Sequence, residues 1–125
     1  MNIIVSGVPF FNDWDVFKRS LDRVSFPEGS VRFFSCHGGP CDFMSERYAK
    51  EHGLDCWCFP VNAFIPREDG IRIRDMEMVS ICDGAVLFWD GVSDDIRRLV
   101  ALLKSCRRRT VVFNFYGEMV EDFVG

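Results

Sequence analysis

The feature that most constrains this chain is an alternation between short, continuous apolar runs and longer amphipathic segments. Five apolar runs of four to six residues are separated by segments in which apolar residues recur at helical spacing. Strands that are apolar along their whole length are typical of parallel sheets covered by helices on both faces. We therefore predict an α/β fold, a three-layer α/β/α sandwich with a mostly parallel five-stranded sheet. The predicted strands are 2–6, 31–35, 56–59, 85–88 and 110–115.

Capping and turn residues bound the predicted helices. The side-chain oxygens of Asn12 and Asp13 can cap a first helix that ends near Val24, and Gly53 is placed to end a second helix. The proline-containing segment 60–70 shows no clear helix or strand periodicity. We therefore predict a loop, on the side of the sheet where a ligand pocket is expected. After the fifth strand we expect only a short tail. The three later helices are predicted over 42–52, 73–82 and 93–105.

The composition fits one globular domain over residues 1–125. A chain of 125 residues that is 48% hydrophobic and 27% charged can form one core. The net charge of -4 argues against general nucleic-acid binding, which needs a basic face. No apolar stretch approaches the roughly 20 residues of a membrane span, and the N-terminal run is too short for a signal peptide. We expect a cytoplasmic protein whose six cysteines stay reduced.

In parallel sheets, ligands bind beyond the carboxyl ends of the strands, near the point where the strand order reverses. The loops that follow the predicted strands are therefore the places to search for a binding site. The ligand-binding candidates from these loops are Gly7, Ser35, His37, Gly38, Gly39, Asp42, Arg74, Asp90, Gly91 and Ser93.

These candidates have different chemistry. Gly38 and Gly39 can adopt positive φ and let the backbone approach an anion, although an ordinary tight turn would need the same pair. His37 could serve as an acid, a base or a hydrogen-bonding contact. Arg74 could offer two donors to a phosphate or carboxylate, or it could pair with a nearby acid. Asp90 could accept hydrogen bonds from ribose hydroxyls, or it could cap its own turn.

The start of the helix after Ser93 carries its own anions. A helix N-terminus attracts phosphate, but Asp94 and Asp95 would repel a ligand phosphate there. Asp13 is expected to cap the first helix in the same way. We therefore predict that the main anion site lies in the loop 35–42, with Arg74 opposite.

The cysteines suggest two further hypotheses. Cys36, Cys41 and His37 lie close in sequence, but their spacing matches no common zinc pattern, so we predict no metal site. Cys41 would lie near a helix N-terminus, which lowers the pKa of a thiol, so a nucleophilic cysteine stays open. We assign no catalytic residue and no required cofactor, although the site could take a nucleotide-derived ligand.

Three segments follow the pattern of one family. Residues 46–54, followed by Phe59 and Pro60, resemble the stretch ERYAKERGL…FP. Arg74-Asp75, with Met78 three residues later, stands in the place of RNxxM, and residues 88–93 resemble FWDGxS. Over about residues 3–115 the chain resembles the small stand-alone YspA/YpsA-like branch of the SLOG superfamily. That resemblance implies a Rossmann-like fold related to the LOG and DprA domains.

Three loops differ from the family pattern. Residues 7–9 read Gly-Val-Pro where the family usually has Gly-Ser-Arg. Residues 35–42 keep only Ser35 and Asp42 of a stretch that resembles SGGARGAD, and residues 94–96 replace the family's xGT. The PGGxGTxxE motif of the LOG phosphoribohydrolases is absent. The resemblance therefore implies binding of a small nucleotide-derived or other anionic ligand, as in a sensor, more than catalysis.

Two alternative functions remain. One is hydrolysis of a nucleotide or sugar nucleotide, with Asp42 or Asp90 as the base. The other is a protein-interaction module that has lost ligand binding. We predict neither membrane binding nor general nucleic-acid binding. Because SLOG proteins often form dimers, the resemblance implies that this chain could form a homodimer. The aromatic residues that could form a homodimer surface, or else pack in the core, are Phe10, Phe11, Trp57, Phe64 and Phe115.

Overall fold

The computed structural model describes residues 1–24, 30–36 and 39–124. Six strands and four helices alternate along these residues, so the α/β prediction is confirmed, but the prediction of five strands is wrong. The strands are β1 (Asn2–Gly7), β2 (Arg32–Ser35), β3 (Asp55–Cys58), β4 (Gly84–Phe88), β5 (Arg109–Phe113) and β6 (Met119–Val124). The helices are α1 (Trp14–Arg23), α2 (Pro40–Glu51), α3 (Arg67–Ile81) and α4 (Asp94–Ser105).

The strand order places β1 and β4 at the centre of the sheet. The order is β3-β2-β1-β4-β5-β6, and every pair is parallel except β5 with β6. From β1 the chain proceeds outward to β2 and β3, and then crosses back to β4. The strand order therefore reverses between β1 and β4, and this order is compatible with a Rossmann-like fold. Ligands of such sheets bind beside the carboxyl ends at the reversal.

The central strands are covered on both faces. All five residues of β4 are buried, although successive side chains in a strand point to opposite faces. On one face Phe88 stacks on Phe17 of α1, and Phe33 stacks on Tyr48 of α2. Helix α1 also contacts α2, and α3 contacts α4. Two helix pairs around a buried sheet fit a three-layer arrangement.

Helix α3 begins earlier than predicted. It starts at Arg67, so the predicted loop 60–70 ends four residues sooner, at Pro66. Glu68 and Asp69 in its first turn stabilise the helix N-terminus. Gly70 is buried, and a Cβ there would lie 2.5 Å from Cγ1 of Val61. In this segment Pro66 therefore caps the start of α3, and Gly70 allows α3 to pack closely against the preceding loop.

The predicted C-terminal tail is a sixth strand. A turn at 114–118, in which Gly117 has a φ of 82°, reverses the chain after β5. Arg109 then donates two hydrogen bonds of 3.0 Å to the carboxylate of Asp122 on β6. This strand was missed because an edge strand is half exposed, and β6 therefore lacks the continuous apolar run of the inner strands.

The predicted helix caps are confirmed where the structure describes them. Asp13 accepts a hydrogen bond from the backbone N–H of Val16 at 3.1 Å. Gly53 follows α2 with a φ of 66°, a conformation that glycine adopts without strain. In the basic run 107–109, Arg108 donates to the carbonyls of Val79 and Ser80 in the last turn of α3. No helix among the described residues is long and apolar enough to cross a membrane.

Candidate functional site

The loop between β2 and α2 is held by the carboxylate of Asp42. One oxygen accepts from the backbone N–H of Cys36 and the other from that of Gly39, both at 3.0 Å. Asp42 is the third residue of α2 and is 7% exposed, so its charge lies at the helix N-terminus. The chain therefore supplies its own anion at the start of α2. Asp42 thereby anchors the backbone at Cys36 and at Gly39.

Arg74 and Asp75 form a largely buried ion pair on α3. The Nε and Nη2 groups of Arg74 donate to the Oδ1 atom of Asp75 at 3.2 and 3.1 Å. The two side chains are only 16% and 11% exposed. Burial raises the pKa of the Asp75 carboxyl, while the Arg74 guanidinium partly offsets that rise. Arg74 thus has the acidic neighbour that the alternative hypothesis expected.

Cys36 connects the loop to this ion pair. Burial raises the pKa of its thiol to about 12, the Arg74 guanidinium lowers it, and the carboxylates of Asp42 and Asp75 raise it further. The sulfur also lies 4.0 Å from the hydroxyl oxygen of Ser6 on β1. The charge of Arg74 thus acts on a thiol at the carboxyl end of β2, beside the strand-order reversal.

Gly7 and Cys41 pack against each other on the other face of β1. A Cβ on Gly7 would lie 3.1 Å from the sulfur of Cys41 and 3.1 Å from Cβ of Phe88. The glycine therefore permits close packing of α2 on the sheet. Burial raises the pKa of the Cys41 thiol well above its usual range, which contradicts the activated thiol that its position suggested.

Ser35 lies on the α2 side of the sheet and not beside Arg74. Its side chain is fully buried, and its hydroxyl donates to the sulfur of Cys58 on β3 at 3.5 Å. Cys58 in turn donates to Oε1 of Glu46 at 3.2 Å. Successive residues of a strand point to opposite faces, so Ser35 and Cys36 are directed to different sides.

Asp90, Gly91 and Ser93 form a separate turn after β4. The carboxylate of Asp90 accepts from the backbone N–H groups of Val92 and Ser93, at 3.0 and 2.8 Å, and from the Ser93 hydroxyl at 2.8 Å. Desolvation alone would raise the pKa of Asp90, but these hydrogen bonds hold it below its usual value. Gly91 has a φ of 85°. Asp90 therefore caps its own turn, as one of the two hypotheses held.

His37 and Gly38 lie outside the described residues, so their predicted roles stay predictions. Within the ranges that the structure does describe, no group of three or more His, Cys, Asp or Glu side chains could hold a metal ion. His52 lies at the end of α2, where its Nδ1 atom is 2.9 Å from the carbonyl oxygen of Tyr48 and its ring stacks on the Tyr48 ring.

The structure brings together only part of the predicted set. Asp42 contacts Gly39, and the charges of Asp42 and Arg74 act on the same thiol, Cys36; these residues form one cluster at the carboxyl end of β2. The Ser35 side chain is directed to the opposite face from Cys36, and the Asp90 turn follows β4. Sequence reasoning did not select Cys36 or Asp75 as members of this cluster. The sequence does contain a signal for Asp75, since this acid follows Arg74 directly and Arg74 was expected either to bind a ligand or to pair with a nearby acid.

Comparison of the chain with protein-family models, with curated proteins and with solved structures found no match. The SLOG resemblance and the function that it implies therefore remain predictions, and the site has to be judged on its own geometry.

Proposed function

We propose that this chain is a Rossmann-like domain of the SLOG type that binds a small anionic, nucleotide-derived ligand at the carboxyl end of β2. One observation carries the proposal: the Arg74 guanidinium is held largely buried in its ion pair with Asp75, and its charge acts on Cys36, which directly follows β2 next to the reversal of strand order. A guanidinium in such a position binds carboxylate or phosphate more strongly than one in open water, because screening is weaker there.

Features of the loop support the same site. The two carboxylate oxygens of Asp42 accept from the backbone N–H groups of Cys36 and Gly39, so these two residues are anchored to the start of α2. Backbone groups that are already anchored lose less conformational freedom when a ligand binds. Hydrolysis has weaker support, because Asp42 and Asp90, the two acids considered as bases, both accept hydrogen bonds from the backbone.

The first prediction concerns Arg74. In isothermal titration with AMP, cyclic AMP and a sugar nucleotide, we expect at least one to bind, and we expect Arg74→Gln to weaken that binding about 10- to 100-fold. A hydrogen bond to a charged group is worth about 1.5–3 kcal/mol, which corresponds to that range. Thermal unfolding of the variant checks that the fold is intact.

Arg72→Gln is the matched control. Arg72 lies on the same helix, is 65% exposed and pairs with Asp69 at 3.9 Å, so its loss removes the same charge without touching the cluster. Its affinity should stay within about twofold of the unaltered chain, since surface charges contribute little. Equal losses in both variants, or no heat with any of the three ligands from a folded protein, would refute the proposed function.

A second candidate function is self-association. Phe64 is 98% exposed and Phe10 is 65% exposed, and Trp57 on the edge strand β3 is 48% exposed. Large exposed aromatic side chains are frequent in protein interfaces. Phe11, in contrast, is buried in the core, and Phe115 is partly buried and packs against the core.

We expect a homodimer that these exposed rings help to hold. Light scattering over a range of concentrations should give twice the mass of one chain, and Trp57→Ser combined with Phe64→Ser should shift the protein to monomer. Phe43→Ser is the control, because Phe43 is 55% exposed on α2 and was not part of the predicted surface. A monomer at every concentration, with the unaltered chain, would exclude this function.

A further inference from the structure

Arg74, the cation of the proposed site, already has an anion supplied by the protein. Two of its N–H groups donate to one oxygen of the adjacent Asp75 carboxylate. Both side chains are largely buried, so this pair is less screened by solvent than the surface pairs of the same helix. A carboxylate or phosphate from a ligand must therefore compete with Asp75 for the same guanidinium.

We propose that Asp75 is a built-in competitor for the anion site on Arg74, and that ligands bind by replacing its carboxylate. This inference rests on the proposed function, because it concerns the same guanidinium. A tethered group acts at the high effective concentration of an intramolecular partner. Bare anions should therefore bind poorly, and a ligand succeeds when it also makes contacts beyond Arg74. The competitor thus selects for larger anionic ligands over inorganic ones.

The displaced carboxylate has a place to go. Asp75 lines a groove of about 400 Å³ between α3 and α4, and Arg98 of α4 lines the same groove. Arg98 lowers the pKa of the Asp75 carboxyl, which places the second guanidinium within electrostatic reach. Arg98 is more exposed than Arg74 and pairs with Asp95. If the Asp75 side chain rotated toward the groove, its carboxylate would leave the buried Arg74 guanidinium and approach the partly exposed Arg98 guanidinium.

The charges around Asp75 also give the competition a pH dependence. On its own helix Asp75 is paired with Arg74, and the charges of Asp95 and Arg98 on α4 also act on it. The charges of Arg74, Asp42 and Asp75 all act on Cys36. Protonation makes Asp75 neutral and removes the competing charge. Because burial raises the pKa of Asp75, this change occurs at a higher pH than for an exposed aspartate. The Arg74-dependent part of anion affinity should therefore increase as the pH falls.

Sulfate is a suitable probe, since it is a small anion whose charge stays constant over this pH range. In an NMR titration, Asp75→Asn should bind sulfate at least about tenfold more tightly than the unaltered chain. Adding Arg74→Gln to that variant should remove the gain. Asp69→Asn makes the same change of charge on α3, at the partner of the exposed Arg72, and should leave sulfate binding unchanged.

Two results would overturn the proposal that Asp75 competes with ligands for Arg74. One is a folded Asp75→Asn variant that binds sulfate no better than the unaltered chain, and the other is a gain that persists without Arg74. If Asp75→Asn does not fold, the unaltered chain and Arg74→Gln are compared from neutral to acidic pH. The difference in their sulfate affinity should grow as the pH falls, and a constant difference would overturn the proposal as well.

The same measurements separate this inference from the proposed function. Arg74-dependent sulfate binding in Asp75→Asn, with no nucleotide bound by the unaltered chain, would reject the nucleotide ligand and keep the competitor. Nucleotide binding that depends on Arg74, with no gain in sulfate affinity in Asp75→Asn, would keep the nucleotide ligand and reject Asp75 as a competitor.

Discussion

Replacing Phe88 with alanine should lower the free energy of unfolding by about 3–5 kcal/mol, the usual range for removing a buried phenylalanine. Phe88 is the last residue of β4 and is fully buried. Its ring stacks on Phe11 at 4.7 Å, on Phe17 at 5.2 Å and on Phe113 at 5.7 Å between ring centroids. The alanine would leave a cavity bordered by three rigid rings, which cannot collapse to fill it.

Urea unfolding followed by circular dichroism measures this loss, with Phe64→Ala as the control. Phe64 is 98% exposed, so its truncation should change the free energy of unfolding by no more than about 0.5 kcal/mol. Similar losses in the two variants would contradict the placement of Phe88 at the centre of the core. A loss confined to Phe88→Ala would support it. The result also bears on the site, because β4 borders the strand-order reversal.

The inner strands could be predicted from the sequence because a strand that is buried on both faces has apolar residues along its whole length. The run around Phe88 therefore predicts β4 to within one residue. β6 gives no such run, since only one of its edges is paired and most of its side chains are exposed or half exposed. The start of α3 was hidden for another reason. Gly70 is a poor helix former, and here it is required by the close approach of Val61.

The sequence predicts the edge of the sheet at which a site is to be expected, but not which side chains meet there. The rule for parallel sheets indicates the carboxyl edge, and the charge of Arg74 acts on Cys36, directly after β2. Which side chains face each other depends on strand parity and on α3 packing, and neither is determined by residue type. Ser35 and Cys36 are adjacent in sequence, yet the Ser35 hydroxyl donates to Cys58, whereas the Cys36 thiol is affected by the Arg74 charge.

Asp42→Ala should lower the free energy of unfolding by about 2–4 kcal/mol, because two backbone N–H groups would lose a charged acceptor. Each such hydrogen bond is worth about 1.5–3 kcal/mol, and the loss is largest where water cannot replace the acceptor. The side chain of Asp42 is 7% exposed, and the N–H groups of Cys36 and Gly39 both point at it. Asp42→Asn keeps one acceptor oxygen and should lose about half as much stability.

Asp15→Ala is the control for this variant. Asp15 also lies in the first turn of a helix, but it is exposed, so its loss should cost no more than about 0.5 kcal/mol. Amide hydrogen exchange gives the local readout: in Asp42→Ala, exchange at Cys36 and Gly39 should accelerate more than exchange in the central strands. If Asp42→Ala behaves like Asp15→Ala in both measurements, Asp42 does not hold the loop. It would then be free to contact a ligand, and the hydrolytic role considered for it would regain support.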